Sequence, residues 1–248
     1  MNKIVKNKIN KGIMLVIIVV AFSFSLAIML KYKHEGETNM PFTLKKILVV
    51  SSAEANSKEE NQENLKWNLN VNQYNDIYLE LQKNENYNKE SYIESVTLEN
   101  FNIQNPKTGN VEIYMPNSTE QKLFSYEEHF KITGSLTYKG ANQNNEKTLN
   151  IANQGGTVLF RVVNKNIADY KSNEGDEISY DGKLLEKTKT NIEDITFSVS
   201  FDIIIKTDKS TFKGNTKLEL PYGNIIQDGV TTKNVENIEN IIFKRIVQ

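Results

Sequence analysis

The clearest pattern of hydrophobic and polar positions lies in the segment Ile195–Lys206. Apolar residues alternate with polar ones along this segment, and only Ile204 breaks the alternation. Because successive side chains of a strand point to opposite faces, a period of two predicts a strand with one buried face. A turn at 208–210 and a second alternating segment, Thr211–Leu220, predict an antiparallel hairpin that Pro221 ends.

Shorter alternating or β-branched segments recur after Met40, with Asn-rich gaps between them. Two of them, Lys66–Val71 and Asp76–Gln82, are predicted to pair as a second hairpin through a turn at Asn72–Asn75. A short helix is predicted only at Asp181–Lys187. Many short strands without intervening helices favour a mainly β fold, an antiparallel β-sandwich of the immunoglobulin type. The predicted strands are Leu44–Val50, Lys66–Val71, Asp76–Gln82, Tyr92–Ile103, Asn110–Met115, Phe130–Tyr138, Thr148–Ala152, Thr157–Val163, Ile195–Lys206, Thr211–Leu220 and Asn240–Val247.

Residues 13–30 form an apolar run without charge, Pro or Gly. As a helix the run would rise about 27 Å at ~1.5 Å per residue, close to the ~30 Å of a hydrocarbon core. We therefore expect a transmembrane helix. The run is longer than the ~7–15 apolar residues of a signal peptide, and Lys31 and Lys33 follow it where small residues would mark a cleavage site. An uncleaved signal-anchor is the favoured interpretation, with a removed signal peptide as the alternative.

Charge around the apolar run predicts its orientation. Residues 1–12 contain four Lys and no acidic residue, which favours a cytoplasmic N-terminus. The expected order is then a basic N-terminus, a transmembrane helix at 13–30, a polar stalk at 31–40 and an extracytoplasmic domain at 41–248. A division of this domain into two tandem sandwiches near 139–147 is the alternative. The expected location is the cell membrane, with a single pass.

Composition narrows the classes of partner. The first 33 residues hold six of the 30 basic residues and no acid, so the remainder has 24 basic and 31 acidic residues and a net charge of −7. Binding of nucleic acid needs clustered positive charge, so we expect no nucleic-acid partner. The chain is rich in Lys and Asn but has Arg only at Arg161 and Arg245, which suggests an AT-rich genome. With no Cys there are no disulfides, and the domain depends on its own core.

Arg161 is the candidate for a ligand contact. It lies in the apolar run Val158–Val163 of a chain that otherwise uses Lys. The planar guanidinium suits a bidentate partner, which Lys cannot replace. That partner is either an internal carboxylate or a bound ligand.

Metal and catalytic candidates are weak. Asp169, Asp176 and Asp181 could supply oxygen ligands to Ca²⁺, but their spacing is not that of an EF-hand, and a solvated loop is the simpler interpretation. A zinc site needs three or four His, Cys or carboxylate ligands, and the two isolated histidines, His34 and His129, do not indicate one. No pair of carboxylates is marked as catalytic, so we expect no cofactor, no metal and no enzymatic activity.

Two glycine-containing segments have some likeness to known motifs. The run Asn153-Gln154-Gly155-Gly156 precedes a predicted strand rather than a helix, so it indicates a hairpin turn and not a phosphate loop. Lys11-Gly12-Ile13 has some likeness to a prepilin processing site, but Ile17 stands where pilins usually carry Glu.

The layout resembles the uncharacterised single-pass membrane proteins of AT-rich Gram-positive bacteria. The similar segments are Met40-Pro41-Phe42 with Ile47–Ser51, Lys66–Leu69, Asn153–Gly156 and Leu218–Pro221. The resemblance implies a location and no activity. The leading hypothesis is a binding or scaffolding module that contacts the bilayer through its N-terminal helix and an unknown cell-envelope protein or glycan through its domain. The alternatives are an envelope hydrolase with paired carboxylates and a pilin-like subunit.

Overall fold

The computed structural model describes residues 14, 16–26, 39–57, 68–117, 123–142, 149–172 and 183–246. Within these ranges the chain is mainly β, with two sheets and short helices. The strands are β1 (Phe42–Ser57), β2 (Asn68–Lys83), β3 (Ile93–Gln104), β4 (Asn110–Tyr114), β5 (Leu136–Gly140), β6 (Asn150–Ile151), β7 (Gly155–Lys171), β8 (Phe197–Thr207), β9 (Thr211–Leu220), β10 (Val230–Asn234) and β11 (Lys244–Ile246).

Helices are short in the domain. They are α1 (Leu184–Lys187), α2 (Ile192–Ile195) and α3 (Ile225–Asp228), with 3₁₀ turns at Glu128–Phe130 and Ile238–Asn240. Near the N-terminus, residues 16–26 are helical. The rest of the predicted membrane span at 13–30, apart from residue 14, lies outside the described residues. Over the part of the chain that is described, no helix combines the length and the apolar character needed to cross a bilayer.

The strands form two sheets. The first sheet has the order β10-β1-β2-β7-β4, and every neighbouring pair in it is antiparallel. The second has the order β11-β9-β8-β3-β5-β6, and only its β5–β6 pair is parallel. Each sheet combines strands from both sides of residues 139–147, so the two-sandwich alternative does not describe this topology.

The two sheets share one hydrophobic core. Phe160 of β7 and Phe201 of β8 are both fully buried, and their ring centroids lie 5.1 Å apart in an edge-to-face contact. Tyr138 of β5 adds a polar bridge between the sheets, because its hydroxyl donates to the carbonyl of Leu159 at 2.7 Å and accepts from the N–H of Leu159 at 3.0 Å. Burial raises the pKa of Tyr138 to about 12. A smaller apolar cluster joins Val71 of β2 to buried residues of the three short helices, among them Leu185 of α1.

The strongest sequence prediction is confirmed. Strands β8 and β9 form an antiparallel hairpin around the turn at 208–210, with Phe201 opposite Thr216. The predicted inward row is buried throughout, although Ile195 belongs to α2 rather than to the strand.

The predicted second hairpin is wrong. Residues 68–83 form one continuous strand, and the predicted turn at Asn72–Asn75 lies in its middle. Asn-rich segments favour turns because their side chains compete for backbone hydrogen bonds. Here the side chain of Asn75 instead hydrogen-bonds to Ser51 and to the carbonyl of Val162. The backbone therefore keeps its strand pairing, and the pairing with β7 is interrupted only by a register shift after Val71.

Other boundaries also differ. Of the predicted strand Phe130–Tyr138, only the end belongs to β5, and a 3₁₀ turn occupies its start. Likewise Asn240–Val247 shrinks to β11 after a 3₁₀ turn. Residues 153–154 do form a turn, but it joins β6 and β7 of different sheets, so it is not a hairpin turn. The predicted short helix at Asp181–Lys187 is confirmed from Leu184 onward, and 181–182 lie outside the described residues.

Candidate functional site

The densest cluster of aromatic and charged side chains lies on the outer face of the first sheet. Strand register explains why these residues meet. Asp76 of β2 lies opposite Arg161 of β7, and Tyr114 of β4 lies opposite Arg161 on the other side. Because side chains alternate along a strand, residues at these paired positions project from the same face. We call this cluster the aromatic face; its members are Tyr74, Asp76, Tyr78, Glu112, Tyr114, Phe124, Tyr126, Phe130, Leu159, Arg161, Val163 and Lys165.

Arg161 is the centre of the aromatic face. Its Nε and Nη2 donate to the two carboxylate oxygens of Asp76 at 2.5 Å and 2.8 Å, and Nη1 donates to the hydroxyl of Tyr126 at 2.6 Å. The guanidinium also lies 4.2 Å from the ring centroid of Phe124 and 5.0 Å from that of Tyr74. Burial alone would lower the pKa of Arg161, but the hydrogen bonds and charge of Asp76 raise it. Of the two partners predicted for Arg161, the structure shows the internal carboxylate, and contact with a ligand stays a prediction.

The segment 123–130 crosses the aromatic face and covers part of it. Phe124 is buried, while Leu123 and Tyr126 are 50% and 43% exposed. The Tyr126 ring packs 5.7 Å from Tyr74 and 5.3 Å from Tyr114, measured between centroids. Burial raises the pKa of Tyr126 despite the opposing charge of the guanidinium, so its hydroxyl stays protonated at neutral pH.

A second ion cluster adjoins the first. Glu112 accepts hydrogen bonds from Tyr114 and pairs with Lys165, and Lys131 pairs with it at 3.1 Å. Burial alone would raise the pKa of Glu112, but the hydrogen bonds from Lys165, Tyr114 and Lys131 lower it to about 2. The carboxylate is therefore ionised at neutral pH and cannot serve as a general acid there.

The outer face of the second sheet contains a cross-strand pair of carboxylates. Glu99 and Asp202 are cross-strand partners. Lys213 lies 3.7 Å from one and 2.7 Å from the other, and the Asn100 amide donates to both. Burial would raise the pKa of Asp202, but hydrogen bonds from Asn100, Lys213 and Asn215 lower it. A glycosidase acid needs the opposite shift, so this pair has the chemistry of an ion-pair network rather than of an acid–base couple.

Two open clefts lie at the surface of the described structure. One of about 330 Å³ lies between the second half of β3 and β4, with Phe101, Val111 and Lys131 among its lining residues. Another of about 540 Å³ lies among turns near Ser91 and Asp208, whose side chains hydrogen-bond to each other at 2.6 Å.

The remaining predicted site residues are described only in part. Asp169 is exposed on β7, and Asn70 donates to it at 3.4 Å. Asp176 and Asp181 lie outside the described residues, as does His34. Within the described ranges no three His, Cys, Asp or Glu side chains come together as a metal site would require. His129 is exposed and lies 3.4 Å from Glu127.

Sequence reasoning missed most of the aromatic face. Only Arg161 was singled out, although Tyr74, Asp76 and Tyr78 follow one another at a period of two. That spacing would have placed all three on one face had 68–83 been read as a single strand.

Comparison with family models, with curated proteins and with solved structures found no match to this chain.

Proposed function

We propose that this chain is a membrane-anchored, extracytoplasmic β-sandwich of the immunoglobulin type that binds a cell-envelope protein or glycan through its aromatic face. The observation that carries the binding function is the exposed, rigidly held Tyr126. Rigid aromatic side chains lose little conformational entropy on binding and are enriched in interfaces. Tyr126 is held by the guanidinium of Arg161 and by two neighbouring tyrosine rings while almost half of it faces solvent.

Strand order supports the immunoglobulin type of sandwich. In constant-type immunoglobulin domains the two sheets have the orders A-B-E-D and G-F-C. The neighbours β1-β2-β7-β4 and β9-β8-β3 follow these orders when strands are taken along the chain. The remaining strands β5, β6, β10 and β11 extend the two sheets. There is no cysteine for the inter-sheet disulfide of antibody domains, and Tyr138 supplies a cross-link between the sheets instead.

The anchor is supported by the uncharged run at 13–30 and by its surface. Large apolar side chains within 16–26, such as Phe22 and Phe24, are 49–70% exposed, so protein does not cover them. A lipid bilayer would bury them. The start of the domain is held against the end of β2. Asn84, which directly follows that strand, donates its backbone N–H to the carbonyl of Pro41 and its side-chain amide to the carbonyl of Met40.

Site-specific photo-crosslinking in intact cells tests the binding surface. A benzophenone amino acid at Leu123 should yield adducts, whereas the same group at Ile242, which is equally exposed at 52% but lies elsewhere, should yield none. Sensitivity of the adduct to protease or to wall-degrading hydrolase then assigns the partner as protein or glycan. Identical adducts from both positions would contradict binding at the aromatic face.

Fractionation and external proteolysis test the anchor separately. The full-length chain should stay with membranes, and protease added to wall-stripped cells should digest it after Lys33. A soluble mature form that begins after residue 30 would contradict the anchor, and protection until lysis would contradict the orientation. Neither result bears on the photo-crosslinking comparison.

A further inference from the structure

Four polar side chains are completely buried on the inward face of the first sheet: Ser51, Gln73, Asn75 and Asn164. Buried polar atoms in proteins almost always have hydrogen-bond partners. Two oxygens of this group, Gln73 Oε1 and Asn164 Oδ1, have none among the described residues. An unpaired buried acceptor lowers the free energy of unfolding, so we expect each of these two oxygens to accept a hydrogen bond.

The orientation of Gln73 is fixed by backbone chemistry. The carbonyl of Val162 can only accept, so Asn75 must turn its Nδ2 toward it, at 3.2 Å. Asn75 Oδ1 then accepts from Ser51 Oγ at 2.8 Å and from Gln73 Nε2 at 3.5 Å. A flipped Gln73 would bring its oxygen against Asn75 Oδ1. Gln73 Oε1 therefore points away from Asn75 Oδ1, and no donor among the described residues reaches it.

The orientation of Asn164 is fixed in the same way. Its Nδ2 donates to the carbonyl of Thr108 at 3.1 Å, which only accepts. The oxygen of Asn164 then lies against Gly109, where any side chain would collide with it. A Cα–H group is a weak donor, so this contact leaves the acceptor largely unpaired.

The residues that carry these two acceptors are neighbours in the sheet. Gln73 of β2 and Asn164 of β7 are direct cross-strand partners, and the Cβ atoms of such pairs lie about 4.5–5.5 Å apart. A ligand for them needs two donors in a small volume. A calcium ion would take six to eight oxygens, and two neutral amide oxygens are too few. We propose that Gln73 and Asn164 bind one internal water molecule, which donates one hydrogen bond to each oxygen.

A crystal structure of the full-length protein tests the site directly. Density for one water within about 3.2 Å of both oxygens is the expected result. The proposal would be overturned if no water density lay between the two oxygens, or if a protein donor were paired with either of them.

The sign of a stability change gives a second test. Gln73→Met keeps the length of the side chain and removes its polar atoms. If the water is bound, the variant loses bridging hydrogen bonds, and the melting temperature of the full chain should fall by several degrees. If Gln73 Oε1 is simply unpaired, its removal should raise the melting temperature. Leu79→Met, on the same inward row of β2, reports the effect of Met itself; a rise relative to that control would overturn the proposal.

Discussion

The two outer faces of this domain are built differently. On the first sheet, Tyr74, Tyr114 and Val163 are at most 4% exposed, because the segment that carries Phe124 and Phe130 packs over them. On the second sheet the outer face carries polar ladders such as Ser198 with Gln104 and Thr97 with Thr137. The outer face of the first sheet is thus partly covered by apolar side chains, whereas the outer face of the second sheet is polar, and its buried residues Ser198 and Asp202 are hydrogen-bonded.

This difference is visible in the sequences of the strands. A strand buried on both faces carries a continuous apolar run, while a half-buried strand alternates. Strand β7 contains Val158–Val163 with only Arg161 interrupting, and that guanidinium is neutralised by Asp76. Strand β8 alternates between apolar and polar residues. A long apolar run, unlike the single break at Ile204 of β8, therefore indicates a second buried face, and a lone Arg within such a run indicates a buried ion pair.

The largest expected effect tests the alternation of β8. Phe201→Asp should unfold the domain, because it places a carboxylate without a partner among Phe160 and Phe101, whose ring centroids lie 5.1 Å and 5.6 Å from that of Phe201. Burial of an unpaired charge costs several kcal/mol of a total stability of about 5–15 kcal/mol. Ser200→Asp, on the outer face opposite Lys217, should change stability by less than about 0.5 kcal/mol. Equal denaturation midpoints for the two variants would contradict the assignment of faces.

A smaller but still large effect tests whether the aromatic face is a second core. Arg161→Met leaves the Asp76 carboxylate, 13% exposed, without its partner. Removal of one member of a buried ion pair costs about 3–5 kcal/mol, and we expect about 3 kcal/mol by urea denaturation. The double variant Arg161→Met with Asp76→Leu should recover most of that loss, since no charge is then unpaired.

The exposed face of the second sheet supplies the control. Lys217→Met should cost less than about 0.5 kcal/mol. If Arg161→Met costs no more than Lys217→Met, the two outer faces are equivalent in energy and the comparison fails.

The sequence predicts the core better than it predicts the aromatic face. Rows of alternating apolar residues in β8 and β9 depend on local periodicity, which a sequence displays directly. The pairing of Asp76 with Arg161 joins residues 85 positions apart, and it depends on a strand register that no local pattern reveals. The continuity of β2 is hard to predict for the same reason. Asn75 is compatible with a strand because it hydrogen-bonds to Ser51 and Val162, which are distant in sequence.

Acid should weaken the aromatic face. The pKa of Glu112 is lowered from its ordinary 4.5 to about 2, so in this range the unfolded chain binds the proton more readily than the folded one. The resulting stabilisation is complete above about pH 5 and is lost as the pH falls toward 2. We expect Glu112→Gln to cost about 2 kcal/mol at pH 7. The gap between its denaturation midpoint and that of the parent chain should narrow progressively as the pH falls from 5 toward 2.

Lys165→Met supplies the matched control for this pH dependence. Lys165 is the principal hydrogen-bond donor that lowers the pKa of Glu112, so its removal should bring that pKa back toward 4.5 and flatten the pH profile. A gap between Glu112→Gln and the parent chain that stays constant from pH 7 to 3 would show that the carboxylate contributes no titration-linked stability.

The smallest effect sharpens the comparison most closely, because the same pair of side chains can be exchanged in opposite directions on the two faces. Thr97 and Thr137 hydrogen-bond at 3.0 Å on the exposed face of the second sheet, where water can replace either hydroxyl. Thr97→Val should therefore shift stability by less than about 0.5 kcal/mol. Val163→Thr places a hydroxyl on the covered face of the first sheet, where Val163 is 1% exposed, and should cost about 1–3 kcal/mol. Urea midpoints measured side by side decide the matter: equal shifts would mean that water reaches both faces, and the segment over the aromatic face would then not bury it.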